Sequence, residues 1–309
     1  MGTLIGHVAP GFGFLFIGLW HLFNHTKLHA VNPAAYRSRP WFPSAALRHL
    51  ELFLIMAGCA ASVSMELFIG PDRHQPLDPD GSIPSNHLHN FEHSSISLAF
   101  FAYAAAALLL DRLHPPPPAA SCVTELLGAA AFAQQLLLFR LHSADHMGVE
   151  GQYHMLLQIV ISVSLATSVI GIALPENFPV GFVRSLSIIF QGFWLIVMGF
   201  ALWTPELVPK GCFIHEEEGH QVVRCTSGDA LRRAKSLVNI QFSWVLIGMM
   251  VFAVAVYVGL VRLYGGAVEY QSLTAAREEE EEESEEDVEA QKKSFLQMGK
   301  GFSPIDMER

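Results

Sequence analysis

Leu237-Val-Asn-Ile-Gln-Phe-Ser-Trp-Val-Leu-Ile-Gly-Met-Met-Val-Phe-Ala-Val-Ala-Val-Tyr-Val-Gly-Leu-Val-Arg-Leu263 is 27 residues long and holds one charge, Arg262, next to its end. About 20 apolar residues in a helix cross the hydrocarbon core of a bilayer. The same reading applied outward finds six more stretches between charges or prolines. They are Leu4–Phe23, Leu50–Gly70, Ser94–Leu110, Ser121–Phe139, Met155–Leu174 and Val180–Trp203. Repeated seven times, this length points to an all-α bundle of seven membrane-spanning helices rather than a soluble protein with buried helices. The first stretch lacks a basic segment before it, and His21 and His25 stand where a signal peptide would carry small residues. It reads as a retained helix.

Composition agrees. Only 16% of the 309 residues are charged and 51% are hydrophobic. Thirteen of the 29 acids and five of the 19 bases follow Gly266, so the tail carries −8 of the net −10. The first 266 residues form one nearly neutral membrane domain. Residues 267–309 form an acidic tail, with Glu278–Glu283 and Glu285–Asp287 at its centre. Such a run has little apolar surface to bury and is expected to be disordered. It offers a docking segment for cytosolic partners, and Ser284 sits among acids as a phosphorylation site would. Nothing in this balance suits nucleic acid.

Short loops rich in Lys and Arg face the cytosol. Lys27, Arg37, Arg39 and Arg48 lie between the first two spans. They put the N-terminus outside or in a lumen and the tail in the cytosol. Arg232, Arg233 and Lys235, before the last span, argue the other way. Pro115–Pro118 is a stiff connector. Cys59 and Cys122 read as packing residues. Cys212 and Cys225 bracket a loop of two short strands around Glu218-Gly219, and two readings stand: a disulfide, or a zinc site with His215 and His220.

Ionisable residues at membrane depth mark sites. Polar residues recur on one face of several spans: Glu51, Ile55, Gly58, Ser62 and Glu66; His89, His93, Ser97 and Ala104; His154, Gln158 and Ser162; Ser187, Gln191, Trp194 and Met198; and His21 with His25. Glu51 and Glu66 are about 22 Å apart along a helix, at opposite ends of it. Alternating span direction puts Glu66, His89, His93, His142, His146 and His154 at one membrane face, with His87 nearby. Imidazole nitrogen and carboxylate oxygen suit zinc. A zinc-bound water could attack a lipid ester or amide. The same histidines also suit helix caps or, in facing pairs, haem. Glu51, Gln158, Gln191 and Trp194 would line a polar interior, where Gln191 and Trp194, like Asn239, Gln241 and Trp244, also serve as interhelical packing.

Several segments carry a family likeness. Gly6-His7-Val-Ala-Pro10-Gly11, Asn90-Phe-Glu-His93-Ser-Ser, Phe139 to His142 with His154-Met-Leu-Leu, and Ser187-Ile-Ile-Phe-Gln191-Gly-Phe-Trp194 resemble the transmembrane protein 45 family. Trp20-His21-Leu-Phe-Asn-His25, the Cys212–Cys225 loop and Lys235-Ser-Leu-Val-Asn-Ile-Gln-Phe-Ser-Trp244 resemble its plant branch, described as viral-response-like. The likeness covers roughly residues 4–264. It implies a multi-pass membrane protein with no established activity, and animal members sit in Golgi and other endomembranes. The matching positions are His7, Glu51, Glu66, His93, His142, His154, Gln191 and Trp194. His21, His25, Cys212 and Cys225 match the plant-like form alone.

The expected function is a membrane protein acting through partners in trafficking or stress and defence response, in endomembranes or the plasma membrane, and not an enzyme. The alternative is a zinc-dependent membrane hydrolase or lipid-modifying enzyme built on the Glu/His cluster. A transporter is third, because no internal repeat is visible.

Overall fold

The computed structural model describes residues 3–71, 74–115, 117–141, 147–217 and 220–299, with side chains as far as residue 265 except that of His220. His142, His146 and the Glu218-Gly219 turn therefore fall outside the described residues, while the acidic run, expected to be disordered, lies in a stretch described as helix without its side chains. Seven helices among them are long and apolar enough to cross a membrane. They are α1 (Leu4–Val31), α2 (Leu50–Ser64), α3 (Leu88–Arg112), α4 (Ala120–Leu141), α5 (Gly148–Ala173), α6 (Phe178–Trp203) and α7 (Gly228–Gly299). A two-stranded hairpin, β1 (Cys212–Glu217) and β2 (His220–Cys225), precedes α7.

The helices run past the charge-free stretches that announce them. α1 continues to Val31, α3 begins at Leu88 and α5 at Gly148. Low charge marks where hydrocarbon begins, whereas a helix ends where its backbone finds a cap. Thr3 Oγ1 accepts from Gly6 N–H at 3.0 Å to start α1, and Asn177 Oδ1 accepts from Val180 N–H at 3.2 Å to start α6. The extra turns are the ones that carry the histidines: His25 and His29 in α1, His89 and His93 in α3, His154 in α5.

α6 is the axis. Two-thirds of its apolar window is buried, against 6% for α7. It lies closest to α1, where glycines let the backbones meet. A Cβ at Gly192 would stand 2.5 Å from Gly11 O, and one at Gly18 would stand 2.7 Å from Ile189 N. α5 packs on the other side through Leu157, Ile161, Phe190, Trp194 and Met198. α7 lies outside, with Trp244, Met250, Val251 and Val254 more than half exposed. Such a face is suited to lipid.

One expected stripe is out of phase. On α5, His154 is buried but Ser162 is exposed and Gln158 only half-buried; the buried polar residues are Ser164, Thr167 and Ser168. Steps of four residues drift by about 40° each on a helix of 3.6 residues per turn. Two such steps carry Ser162 off the face. Gly58 of α2 is also exposed. Ser187, Gln191, Trp194 and Met198 of α6, spaced by three and four, are all buried.

The hairpin is antiparallel, with Cys212 opposite Cys225 and Glu217 opposite His220. The two cysteine sulfurs are joined as a disulfide, which leaves no thiolate there for a metal.

Candidate functional site

Up-and-down topology collects the polar residues at two ends of the bundle. One end holds the start of α1, the end of α2, the start of α3 and α5, and the hairpin. Here α2 passes into a wide π-helical turn, Met65–Ile69, that carries Glu66 into the interior; such turns often re-aim functional side chains. Glu66 is 8% exposed. Asn90 Nδ2 donates to Glu66 Oε2 at 2.8 Å and to the Glu66 carbonyl at 3.1 Å. His93 Nδ1 lies 3.3 Å from Glu66 Oε1. His89, one turn earlier, has its ring centroid 6.2 Å from that of His93.

A second pair stands beside this one. His7 donates from Nδ1 to Thr3 O at 3.1 Å, which leaves Nε2 as its lone-pair nitrogen when neutral. Its ring stacks on Trp203 at 4.5 Å and on His154 at 5.9 Å. His154 leans on Phe139 at 5.6 Å. Trp203 Nε1 reaches Gln221 O of β2 at 3.4 Å, so the hairpin borders the cluster. His87 donates to Pro76 O at 3.2 Å and is occupied with its own loop. Thus Glu66, His89 and His93 come together, and His7 and His154 stack on each other at the same end. Among the described residues no three His, Cys, Asp or Glu are placed so that they could hold a metal ion; His142 and His146 are not among those residues.

The opposite end is built around the loop between α1 and α2. Glu51 accepts from His21 Nε2 at 2.7 Å, from Trp20 Nε1 at 3.0 Å and from the Phe42 backbone N–H at 2.8 Å. His25 Nδ1 is 2.9 Å from the Tyr36 hydroxyl. Arg184 of α6 pairs with Glu125 of α4 and donates to Ser38 Oγ at 3.0 Å and Arg39 O at 3.2 Å. Tyr36 is outside the spans, and burial pushes its phenol up to about 12. Arg48 and His49 hold Asp111 at the rim.

Between the ends lies a thin polar thread. Gln191 Nε2 donates to Ser164 Oγ at 2.6 Å, and Ser164 Oγ is 2.7 Å from Ser187 Oγ. Trp194 Nε1 donates to Tyr153 O at 3.1 Å, and Gln158 Nε2 to Phe139 O at 3.1 Å. These bonds tie helices together. Asn239 and Gln241 of α7 do the same, accepting from Gln152 at 2.7 Å and Tyr153 at 2.6 Å.

The sequence assigned no role to Glu125, Arg184, Tyr36 or Ser38, and showed Asn90 only within a family-like segment. The signal for the ion pair was present. Glu125 lies early in α4 and Arg184 early in α6, and two even-numbered spans begin at the same face. Over residues 121–258, which take in α4, α5, α6, the hairpin and the apolar part of α7, the chain matches the model of a family of unknown function (DUF716) and is similar to it there.

Proposed function

We propose that this multi-pass integral membrane protein works at its hairpin end, as a divalent-metal site in a membrane hydrolase or lipid-modifying enzyme. The observation that carries the reading is the Glu66 carboxylate, fixed by Asn90 against His93 at the end where His7, His89 and His154 also gather. Zinc takes such nitrogen and oxygen ligands and needs three, with a fourth position for water. A water so bound is acidic enough to supply hydroxide near neutral pH, and an ester or amide of a lipid is the electrophile at this depth. Full-length protein purified in detergent without chelators should hold about one zinc per chain. Glu66→Gln with His93→Ala should lose it while keeping the wild-type elution profile and melting behaviour. A metal-free wild-type protein overturns the reading.

The tail supports a second, separable role. Residues 277–309 combine a block of acids with clustered bases, a composition suited to binding cytosolic partners in trafficking or in stress and defence response. This reading takes the chain as a transmembrane protein 45 type of the plant branch, in endomembranes or the plasma membrane, with the tail cytosolic. Deleting residues 277–309 should then move the protein or strip its partners; unchanged location and partners would end it.

A further inference from the structure

α1 to α6 pack in ring order, each helix on the next and α6 back on α1, with α7 outside. Three aromatic rings meet across this ring at one level. Phe14 of α1 meets Phe100 of α3 edge-on at 5.5 Å, and Phe100 meets Phe132 of α4 at 5.3 Å. All three lie about 14–18 Å from the hairpin end, counted along their helices at the usual rise per residue. They form a floor. The group with Glu66, His93 and His154 lies above it, and Glu51, Glu125 and Arg184 lie below.

Two polar side chains occupy the layer between the floor and the upper group. Ser94 of α3 stands one turn below Asn90, which holds Glu66. Gln135 of α4 lies between Phe132, one turn deeper and part of the floor, and Phe139, one turn shallower and against His154. Ser94 is 5% exposed and Gln135 is 1% exposed. The Ser94 hydroxyl and Gln135 Oε1 have no hydrogen-bond partner among the described residues. A helical serine can turn its hydroxyl back to the carbonyl four residues earlier, as Ser95, Ser162 and Ser168 do at 2.7–2.8 Å. Ser94 does not. Two unpaired polar groups at membrane depth, on facing helices, cost free energy unless something in the layer completes them.

Their chemistry says what completes them. Gln135 Oε1 accepts a hydrogen bond, and Ser94 donates or accepts one. A hydroxyl does both from a single atom, which suits a narrow space. A phosphate does not fit. Arg184 is the one buried Lys or Arg among the described residues, and it lies beneath the floor. The group above carries the Glu66 carboxylate. An anion there would lose its hydration with no buried cation to replace it. The floor also limits length. From His93 to Phe100 is about 10 Å along α3, enough for a head of a few atoms and too short for an acyl chain. We propose that the layer beneath Glu66 and His93 is a blind recess for the uncharged, hydroxyl-bearing head of a lipid whose acyl chains stay in the bilayer. The proposal rests on the metal-site reading only where it makes that lipid the substrate.

The test is native mass spectrometry of the full chain in detergent, titrated with three probes that share their acyl chains: dioleoylglycerol, its O-methyl ether and dioleoyl phosphatidate. Dioleoylglycerol should bind about tenfold more tightly than either of the others, since the ether lacks the donor and the phosphatidate brings charge. Gln135→Leu and Ser94→Ala should each weaken dioleoylglycerol by about five- to tenfold and leave phosphatidate unchanged. Each replaces an unpaired buried group with an apolar one, so the melting temperature of the lipid-free variants should not fall, and lost binding is told from lost folding. Equal binding of the three lipids by wild type, or a dioleoylglycerol affinity that neither variant changes, overturns the proposal. Zinc is read separately. Zinc-free protein that still prefers dioleoylglycerol overturns the metal site alone, and zinc-bearing protein with no preference overturns the recess alone.

Discussion

Glu125 of α4 and Arg184 of α6 form an ion pair inside the bundle, 7% and 5% exposed. Arg184 spends its other donors on Ser38 Oγ and Arg39 O. The pair therefore joins two helices and the loop between α1 and α2 at one point.

Removing one partner strands the other in a medium that solvates charge poorly. Glu125→Gln or Arg184→Met should each cost about 3–5 kcal/mol of stability. The double variant should recover much of that loss, since a buried pair is costly to half-remove and cheap to replace whole. Thermal unfolding of the four proteins in one detergent checks the cycle. Additive losses would show that the two side chains do not work as a pair.

Gly192 is the tightest point of the α1–α6 contact. The obstacle to a Cβ there is backbone, Leu15 N and Gly11 O, and backbone does not move aside as a flexible side chain does. Gly192→Ala should destabilise by about 1–3 kcal/mol through overpacking. Gly248→Ala on α7, where a Cβ would meet nothing within 4 Å, is the matched control and should change the melting temperature little.

The Cys212–Cys225 bond closes a loop of sequence separation 13. In the chain-entropy model a closure of this size is worth roughly 3 kcal/mol. Unreduced protein should resist alkylation at these two positions by mass spectrometry, and Cys212→Ser with Cys225→Ser should raise hydrogen exchange across β1 and β2. Full alkylation without reductant would contradict the bond.

Glu217 lies beside Arg224 across the hairpin, with Arg224 Nε donating at 2.8 Å, and this holds the Glu217 carboxyl below its ordinary range. A carboxyl lowered on folding adds stability that is present above its unfolded pKa and is lost as pH falls through the folded value. Protection of the hairpin amides should therefore be constant from pH 8 to 5 and weaken below about pH 4. Glu217→Gln should remove that acid limb. Both groups are partly exposed, so the effect should shrink in high salt.

The seven spans were legible because a bilayer imposes one coarse rule on length and apolarity. Glu66 with His93 was legible because span direction alternates. What escaped depends on angle and on loops. Ser162 was placed on one face with His154 and Gln158, but two four-residue steps drift about 80° around the helix and leave it exposed. Asn90 was quoted only within the family-like segment Asn90-Phe-Glu-His93-Ser-Ser, although its amide is what anchors Glu66. Tyr36 and Ser38 lie in a connection, and no hydropathy pattern says that a connection turns inward. The Cys212–Cys225 alternatives were balanced in residue type and differ only in whether two sulfurs meet.

The α1–α6 contact has a consequence for how the protein is made. Gly11 and Gly192 touch across 181 residues of chain. At about 5–20 residues per second, synthesis takes roughly 10–40 seconds to cover that distance. For that time the first helix has no α6 to lie against. It must remain in the bilayer, or with the insertion machinery, carrying His7, His21 and His25 until its partner emerges. The nascent chain is thus most exposed to mispairing at its earliest helix, and substitutions there should lower yield before they alter the finished protein.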